Sequence, residues 1–378
     1  SHLKDSLEKI AKGKSSINPI ASGMFGEIYS FSEDDRYVVK KFLKDIKEED
    51  NIVTHFRELK ESLKNYNAFF MIPLYAETIR WNEVYGKAKL PRGRTVVIFD
   101  KATRDGRQLL RTKNLDKATI DKFTQAQLRS TSILHKEGRI HSDLKPEQML
   151  EINGLYKLGD LDDAVKIKGM SAESLNETLS RSTSSPYYIS KEKKFFTHKY
   201  STASNVPDKI KEYFGNWKNL LKHDDYANGW SLIFSRYNIF QLYRGVSEAA
   251  FFKKFKDWMK KKYSSKLFSS KLLKAQKKFY KTYQKDLQRK GIKSKKQFLA
   301  RVSADKVDSD YAHMIFSENL MYNKKKDYFQ TFLKEEFSEH FQEDEYNIIK
   351  GLLHPDYTKR STSEEVLKKL EINDNRHK

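Results

Sequence analysis

Ile140-His141-Ser142-Asp143-Leu144-Lys145-Pro146-Glu147-Gln148-Met149-Leu150 is the stretch whose reading decides the fold, and it carries the most specific signal in the chain. A carboxylate at Asp143 can accept the proton of an attacking hydroxyl. Lys145, two residues on, can neutralise charge on a transferring phosphoryl group. Gln148 offers a neutral oxygen to a metal ion.

Seventeen residues after Asp143 stands Asp160, in Leu158-Gly159-Asp160-Leu161-Asp162. A second carboxylate there suits a Mg²⁺ ion bridging nucleotide phosphates. One aspartate alone reads best as a loop cap or a solvated side chain; the ordered pair favours chemistry.

Towards the N-terminus, Ile20-Ala21-Ser22-Gly23-Met24-Phe25-Gly26-Glu27-Ile28-Tyr29 reads as a glycine-containing turn between two strands. Gly23 and Gly26 would let backbone N–H groups approach phosphate oxygens, although a plain hairpin looks much the same. Lys40 lies on the next strand, spaced so that its ammonium could reach those phosphates. Something must hold it there. Glu58, on a helix expected at 49–65 with Ile52, Phe56, Leu59 and Leu63 on its apolar face, is the natural ion-pair partner, and Glu61 competes with it.

These pieces, in this order, resemble the protein-kinase superfamily. His141 to Gln148 looks like the family's catalytic loop, H-R-D-L-K-P-E-N. Asp160-Leu161-Asp162 stands where the family has D-F-G, Val38-Val39-Lys40 at its β3 lysine, and 21–26 at its Gly-rich loop. Ser185-Pro186-Tyr187-Tyr188-Ile189-Ser190-Lys191-Glu192 looks like T-P-x-Y-x-A-P-E. Asp224 to Gly229 resembles the D-x-x-x-x-G start of a buried central helix, and Arg360 sits where a late arginine pairs with the A-P-E glutamate, here Glu192. The likeness covers about 17–235 and 340–370.

The resemblance implies an α+β, bilobal protein-kinase-like fold. A small β-rich N-lobe would occupy 16–102 and a large helical C-lobe 103–378, with a Lys-rich helical insertion at about 236–340. It implies an ATP- and Mg²⁺-using Ser/Thr protein kinase. Asp143, Lys145, Lys40 and Glu58 would serve catalysis, and Asp160 and Gln148 the metal. Ala21, Gly23, Gly26, Ile28, Val38 and Lys40 would surround the nucleotide, with Phe99 as gatekeeper and Asp100 to Ala102 as the adenine-receiving hinge.

Five departures qualify the likeness. Ser142 replaces the arginine of H-R-D, so the usual grip on an activation-loop phosphate is missing and activity should be gated some other way. Gln148 replaces asparagine, and its extra methylene displaces the metal-facing oxygen. Asp162 replaces the D-F-G glycine, which adds a carboxylate and could shift metal choice towards Mn²⁺. Leu161 for Phe and Ala21 for Gly are mild changes. Lys40, Asp143 and Asp160 all remain, which favours a working enzyme. A nucleotide-binding pseudokinase scaffold and a small-molecule kinase are the alternatives, the latter disfavoured by the peptide-platform look of 185–192.

The net charge of +22 is concentrated. Residues 251–301 hold nineteen Lys and Arg against Asp257 and Asp286, so +17 of the total falls in 51 residues. Aromatics interleaved there at helical spacing suggest apolar faces packed on the lobe with lysines outward. Lys253, Lys254, Lys260, Lys261, Lys271, Lys274, Lys277 and Lys278 are candidates for a polyanion. An inositol polyphosphate acting as activator is the favoured ligand, ahead of anionic membrane lipid, an acidic protein or nucleic acid. A merely solvated surface is the plain alternative.

Cysteine is absent, which excludes disulfides, thiolate nucleophiles and Cys-ligated zinc and suits a reducing interior. No apolar run is long enough to span a bilayer, and no signal peptide or internal repeat is visible. The opening Ser1-His2 reads as a cloning scar, and 1–15 as an N-terminal extension. Residues 163–200, rich in Ser and Thr, are expected to form a mobile loop. The divergent loops, basic insertion and Lys-, Asn- and Phe-rich composition also resemble kinases that bacterial pathogens place in host cytosol as effectors.

Overall fold

Alternation along Tyr37–Phe42 sets the first part of the structure. Val39 and Lys41 point to one side of a sheet, and Val38, Lys40 and Phe42 to the other. The structure, a computed structural model, describes the backbone outside residues 1, 13–16, 23–25, 32–33, 44–45, 86–87, 183, 203–204, 243–246, 304–310, 317–319, 324–325 and 377–378. Side chains at 2–3, 6, 10–11, 17, 31, 46–51, 82–85, 88–91, 198, 201–202, 264–272, 301–303, 312, 316 and 374–376 are also outside the description. The fold is mixed α+β, with its antiparallel sheet in the N-terminal part. It divides into two compact units, Ser1–Asp105 with Met149–Asp162, and Gly106–Gln148 with Asp163–Lys378.

In the first unit, β1 (Ile17–Ser22), β2 (Gly26–Phe31), β3 (Tyr37–Phe42), β4 (Tyr75–Tyr85) and β5 (Ala88–Asp100) form an antiparallel sheet in the order β1-β2-β3-β5-β4. One face buries Leu7, Val39, Trp81, Val96 and Ile98 together. Leu7 belongs to the helix His2–Ala11, an amphipathic turn of which brings it to 1% exposure against the sheet. The other face takes the helix Ile46–Leu63, whose Phe56 packs on Phe42 and Phe99 with ring centroids 5.9 and 6.0 Å away. Each such burial stabilises by roughly 1.5–3 kcal/mol. Met149–Ile152 and Leu155–Leu158 close a hairpin over Asn153-Gly154, whose φ values of 51° and 75° are those a tight two-residue turn requires. Residues 159–162 leave directly from that hairpin.

The second unit is helical around Trp217–Arg236, buried without interruption from His223 to Arg236. Gly229 is required there by close packing: a Cβ would fall 2.6 Å from a Leu353 methyl. Lys117–Lys136 packs beside it, its start capped by Asp116, which accepts from the Thr119 N–H at 2.6 Å. From 205 onward the described residues are mainly helical, as the apolar spacing predicts, and include one 43-residue helix, Ser247–Arg289.

The expected mobile loop at 163–200 is corrected. It contains a helix, Ala172–Arg181, a π-helical turn, Glu192–Phe196, and a further short helix, Thr197–Thr202. Serines lower helix propensity. Here Ser171 caps the Ser174 N–H at 3.2 Å, and Leu175 and Leu179 are buried one turn apart, which outweighs it. Among the described residues, no helix is long and apolar enough to cross a membrane.

Candidate active site

Each unit carries one chemically dense constellation. In the first, Lys40 reaches out from β3 on the face that also holds Phe42, Phe56 and Phe99. Its ammonium donates to Asp160 Oδ1 at 3.1 Å and to an Asp162 carboxylate oxygen. Burial works to neutralise the ammonium, but the two carboxylates outweigh that and hold its pKa above the ordinary lysine value. Asp160 adopts a left-handed φ of 51°, and Leu161 behind it is buried. The Leu161 carbonyl accepts from His55 Nε2 at 2.9 Å, tying this turn to the helix Ile46–Leu63.

The expected Lys40–Glu58 pair is therefore not formed. Glu58 is exposed on its helix, and Lys40 is satisfied by Asp160 and Asp162 instead. Glu61 pairs with Lys64 at 3.0 Å. The sequence likeness singled out Asp162 as a departure without foreseeing this contact, which depends on the left-handed turn at Asp160.

The remaining nucleotide candidates lie along the same sheet. Gly26 faces Phe42 across the β2–β3 ladder, where a Cβ would meet the Lys41 carbonyl oxygen at 2.7 Å. Its absence of a side chain is thus a packing requirement. Ile28 pairs with Lys40, and Val38 with Phe99. Ala21 is exposed beside a register shift in β1, Phe99 and Asp100 end β5, and Ala102 follows; all three of the latter are half-buried. Gly23 lies outside the described residues.

In the second unit, Asp143 sits in a loop anchored from below. The buried Asp224 carboxylate accepts the His141 N–H at 2.7 Å and the Ser142 N–H at 2.9 Å. Asp224 also bonds His135 at 3.2 Å; burial would raise its pKa, but that bond and the surrounding histidines bring it below the ordinary carboxylate value. Asp143 Oδ1 accepts from the Ser185 N–H at 2.7 Å. Asp143 Oδ2 faces Lys145 Nζ at 2.9 Å and the Gln148 amide nitrogen at 3.5 Å. Lys145 also donates to Ser185 Oγ at 2.8 Å. A carboxylate so braced, 13% exposed, is oriented to accept one more proton donor. Gln148, foreseen as a metal ligand, is buried with its amide directed at Asp143.

The segment 185–192 is held at its middle and at its far end. Tyr188 donates to Glu248 at 2.9 Å, and Glu192 meets Arg360 in a buried pair. Arg107 bonds Glu147 at 2.6 Å and also Glu248, so one guanidinium links the Asp143 loop to the first turn of the long basic helix.

That helix buries Phe251, Phe252, Phe255 and Trp258 at one end and Phe279, Tyr280 and Tyr283 at the other. These aromatics are core, as their spacing implies. Lys253, Lys260, Lys261, Lys274, Lys277 and Lys278 are exposed. Lys254 is half-buried and paired with Glu336 at 2.9 Å, and the Lys271 side chain lies outside the described residues. At 3.6 residues per turn, Lys253, Lys260, Lys274 and Lys278 fall along one side of the helix.

Asp160 is a hard oxygen donor, 45% exposed, and so fits Mg²⁺ or Mn²⁺. Among the described residues no three acidic or histidine side chains form a self-sufficient metal cage. An ion that also takes phosphate oxygens needs none. No protein-family model matches the chain, and no curated protein matches it significantly.

Proposed function

We propose that the chain is an ATP-dependent protein kinase that transfers the γ-phosphate to Ser or Thr hydroxyls. The observation that carries this reading is the bracing of Asp143 by Lys145, Gln148 and the Ser185 N–H, in a loop hung on Asp224. Asp143 would take the hydroxyl proton, and Lys145 would offset charge at the transferred group. Lys40 would contact the nucleotide phosphates. Asp160 would hold a Mg²⁺ or Mn²⁺ ion, which when bound neutralises phosphate charge. Gly26, Ile28, Val38 and Phe99 would line the base and ribose side.

A polyanion, an inositol polyphosphate by preference, would bind the lysines along Ser247–Arg289 and act as activator. The Glu248–Arg107–Glu147 chain of ion pairs gives such a ligand a physical route to the Asp143 loop. The absence of cysteine suits a cytosolic setting, which would include host cytosol for an effector.

One observation favours a second reading, a nucleotide-binding pseudokinase scaffold. Lys40 is held by Asp162 and Asp160 and not by Glu58, an arrangement that occupies the phosphate-binding cation. Transfer of labelled γ-phosphate to the chain and to a basic carrier protein separates the two. The assay is run in Mg²⁺ and in Mn²⁺, with and without inositol hexakisphosphate. Transfer that disappears in Asp143→Asn and Asp160→Ala supports the enzyme. ATP binding without transfer in any condition supports the scaffold.

A further inference from the structure

Ser142 stands where the resemblance calls for an arginine, and its backbone has turned into the left-handed region, φ 76°. Its carbonyl thereby faces three donors: Ser184 Oγ at 2.7 Å, His223 Nε2 at 2.8 Å and Lys193 Nζ at 3.5 Å. His223 Nδ1 accepts the Ser190 N–H at 3.3 Å, so the proton sits on Nε2 and is donated to Ser142. Burial and the neighbouring Lys193 charge push the His223 pKa down to about 4, which keeps the ring neutral.

Lys193 follows Glu192 in the π-helical turn and is 6% exposed. Its ammonium donates to Ser182 Oγ at 2.8 Å and to Ser184 Oγ at 2.5 Å as well as pointing at the Ser142 carbonyl. The next residue, Ser185, gives its N–H to Asp143. One buried cation therefore gathers the two strands of chain that flank Asp143. Burying a cation that donates to hydroxyls and a carbonyl is costly, and such cost is characteristic of functional positions.

We propose that Lys193 is a positioning residue for Asp143: it ties Ser182 and Ser184, the latter next to Ser185, to the Ser142 carbonyl and so does, from the π-helical turn, the work an arginine at 142 would do through a phosphorylated loop. This rests on the reading of Asp143 as the base. It also explains how the loop can be held with no phosphate on it, because the ammonium grips serine hydroxyls directly.

The groups facing Lys193 are Asp143, Asp224 and Asp163, which attract its charge, and His223. Lys194 and Lys290 line the same cavity, of about 320 Å³, with like charge. Burial, only partly offset by the three aspartates, lowers the Lys193 pKa to about 8. The tether is thus intact below about pH 8 and is released as the pH rises through it.

Amide hydrogen exchange on the full chain, corrected for intrinsic rates, tests this at pH 7 and pH 9.5 in wild type, Lys193→Arg and Lys193→Met. Lys193→Met should lose about tenfold protection at the Ser185 amide at pH 7, as expected for a broken charge-assisted bond. Wild type should lose similar protection between the two pH values, and Lys193→Arg, which stays charged, should not. In phosphotransfer assays the alkaline fall in kcat should lie near pH 8 in wild type and move upward in Lys193→Arg, with KM for ATP unchanged. Equal pH dependence of Ser185 protection in wild type and Lys193→Arg would overturn the proposal, and that comparison stands even if Lys193→Met fails to fold. If wild type transfers no phosphate, the kinase reading fails, yet the exchange data still decide whether Lys193 holds Asp143.

Discussion

The Arg360 guanidinium lies 3.2 Å from the Glu192 carboxylate, 168 positions apart in sequence, and both side chains are buried. Burial alone would raise the Glu192 pKa; Arg360 reverses this and holds it below the ordinary carboxylate value. Arg360 also donates to the Lys222 and His354 carbonyls, at 2.7 and 3.1 Å, so it leaves few polar groups around it unserved.

Removing one partner strands the other's charge. Arg360→Met should cost about 3–5 kcal/mol in urea unfolding, while the Arg360→Met/Glu192→Met double variant should cost much less than the sum of the singles. Additive losses would show that the two do not act as a pair. The pH dependence has a defined sign. The stability from Glu192 is complete above its unfolded pKa, about 4.3, and is lost as the pH falls through the depressed folded value. Glu192→Gln should flatten that acid limb.

Asp162 occupies the cation that the proposed nucleotide would need. Asp162→Asn should therefore tighten ATP binding by roughly fivefold, about 1 kcal/mol, as read by calorimetry in Mg²⁺. Asp160→Asn should weaken the metal-dependent part. Glu58→Gln should leave ATP affinity and unliganded stability unchanged, because Glu58 is exposed and Lys40 is held elsewhere. Weaker ATP binding in Asp162→Asn would mean that Asp162 serves the metal instead.

Ser142 combines a left-handed φ of 76° with a buried hydroxyl that has no hydrogen-bond partner among the described residues. Ser142→Gly relieves both, at some entropic cost in the unfolded chain, for a net gain of about 1 kcal/mol. Thermal unfolding should report a midpoint a few degrees higher. An unchanged or lower midpoint would indicate that the Ser142 side chain contributes packing worth as much as its strain.

The exposed lysines on one side of Ser247–Arg289 can be changed without touching the core. Reversing Lys253, Lys260, Lys274 and Lys278 to Glu should leave the unfolding midpoint within a few degrees of wild type. It should abolish calorimetric binding of inositol hexakisphosphate and its stimulation of transfer. Raising salt should weaken the wild-type interaction in the same direction. Binding that survives the fourfold reversal would place the ligand elsewhere.

Much of this protein is written in local sequence. Alternation in 37–42 and the helical spacing of Phe56, Leu59 and Leu63 fix the first sheet and its helix, because period alone decides which face is buried. Asp143, Lys145 and Asp160 stand out by residue type and order. The Glu192–Arg360 pair and the burial of the helix that holds Asp224 and Gly229 were legible through the resemblance alone, since nothing local links residues so far apart.

Other features had no sequence signal. The serine-rich stretch 172–181 looks like a loop, and it is helical because Leu175 and Leu179 find a core contributed by distant segments. Nothing in the N-terminal extension announces that Leu7 is buried with Val39, Trp81 and Ile98. The choice of Asp160 and Asp162 over Glu58 as partners of Lys40 turns on the left-handed backbone at Asp160, which no residue preference announces. Lys193 read as one lysine among many. The sequence by itself determined which side chains could do chemistry and which faces must be buried, because those follow from residue type and period. Only the tertiary structure decided which charges meet, because the strength and direction of an ion pair depend on burial and on distances set by chain segments far away in sequence.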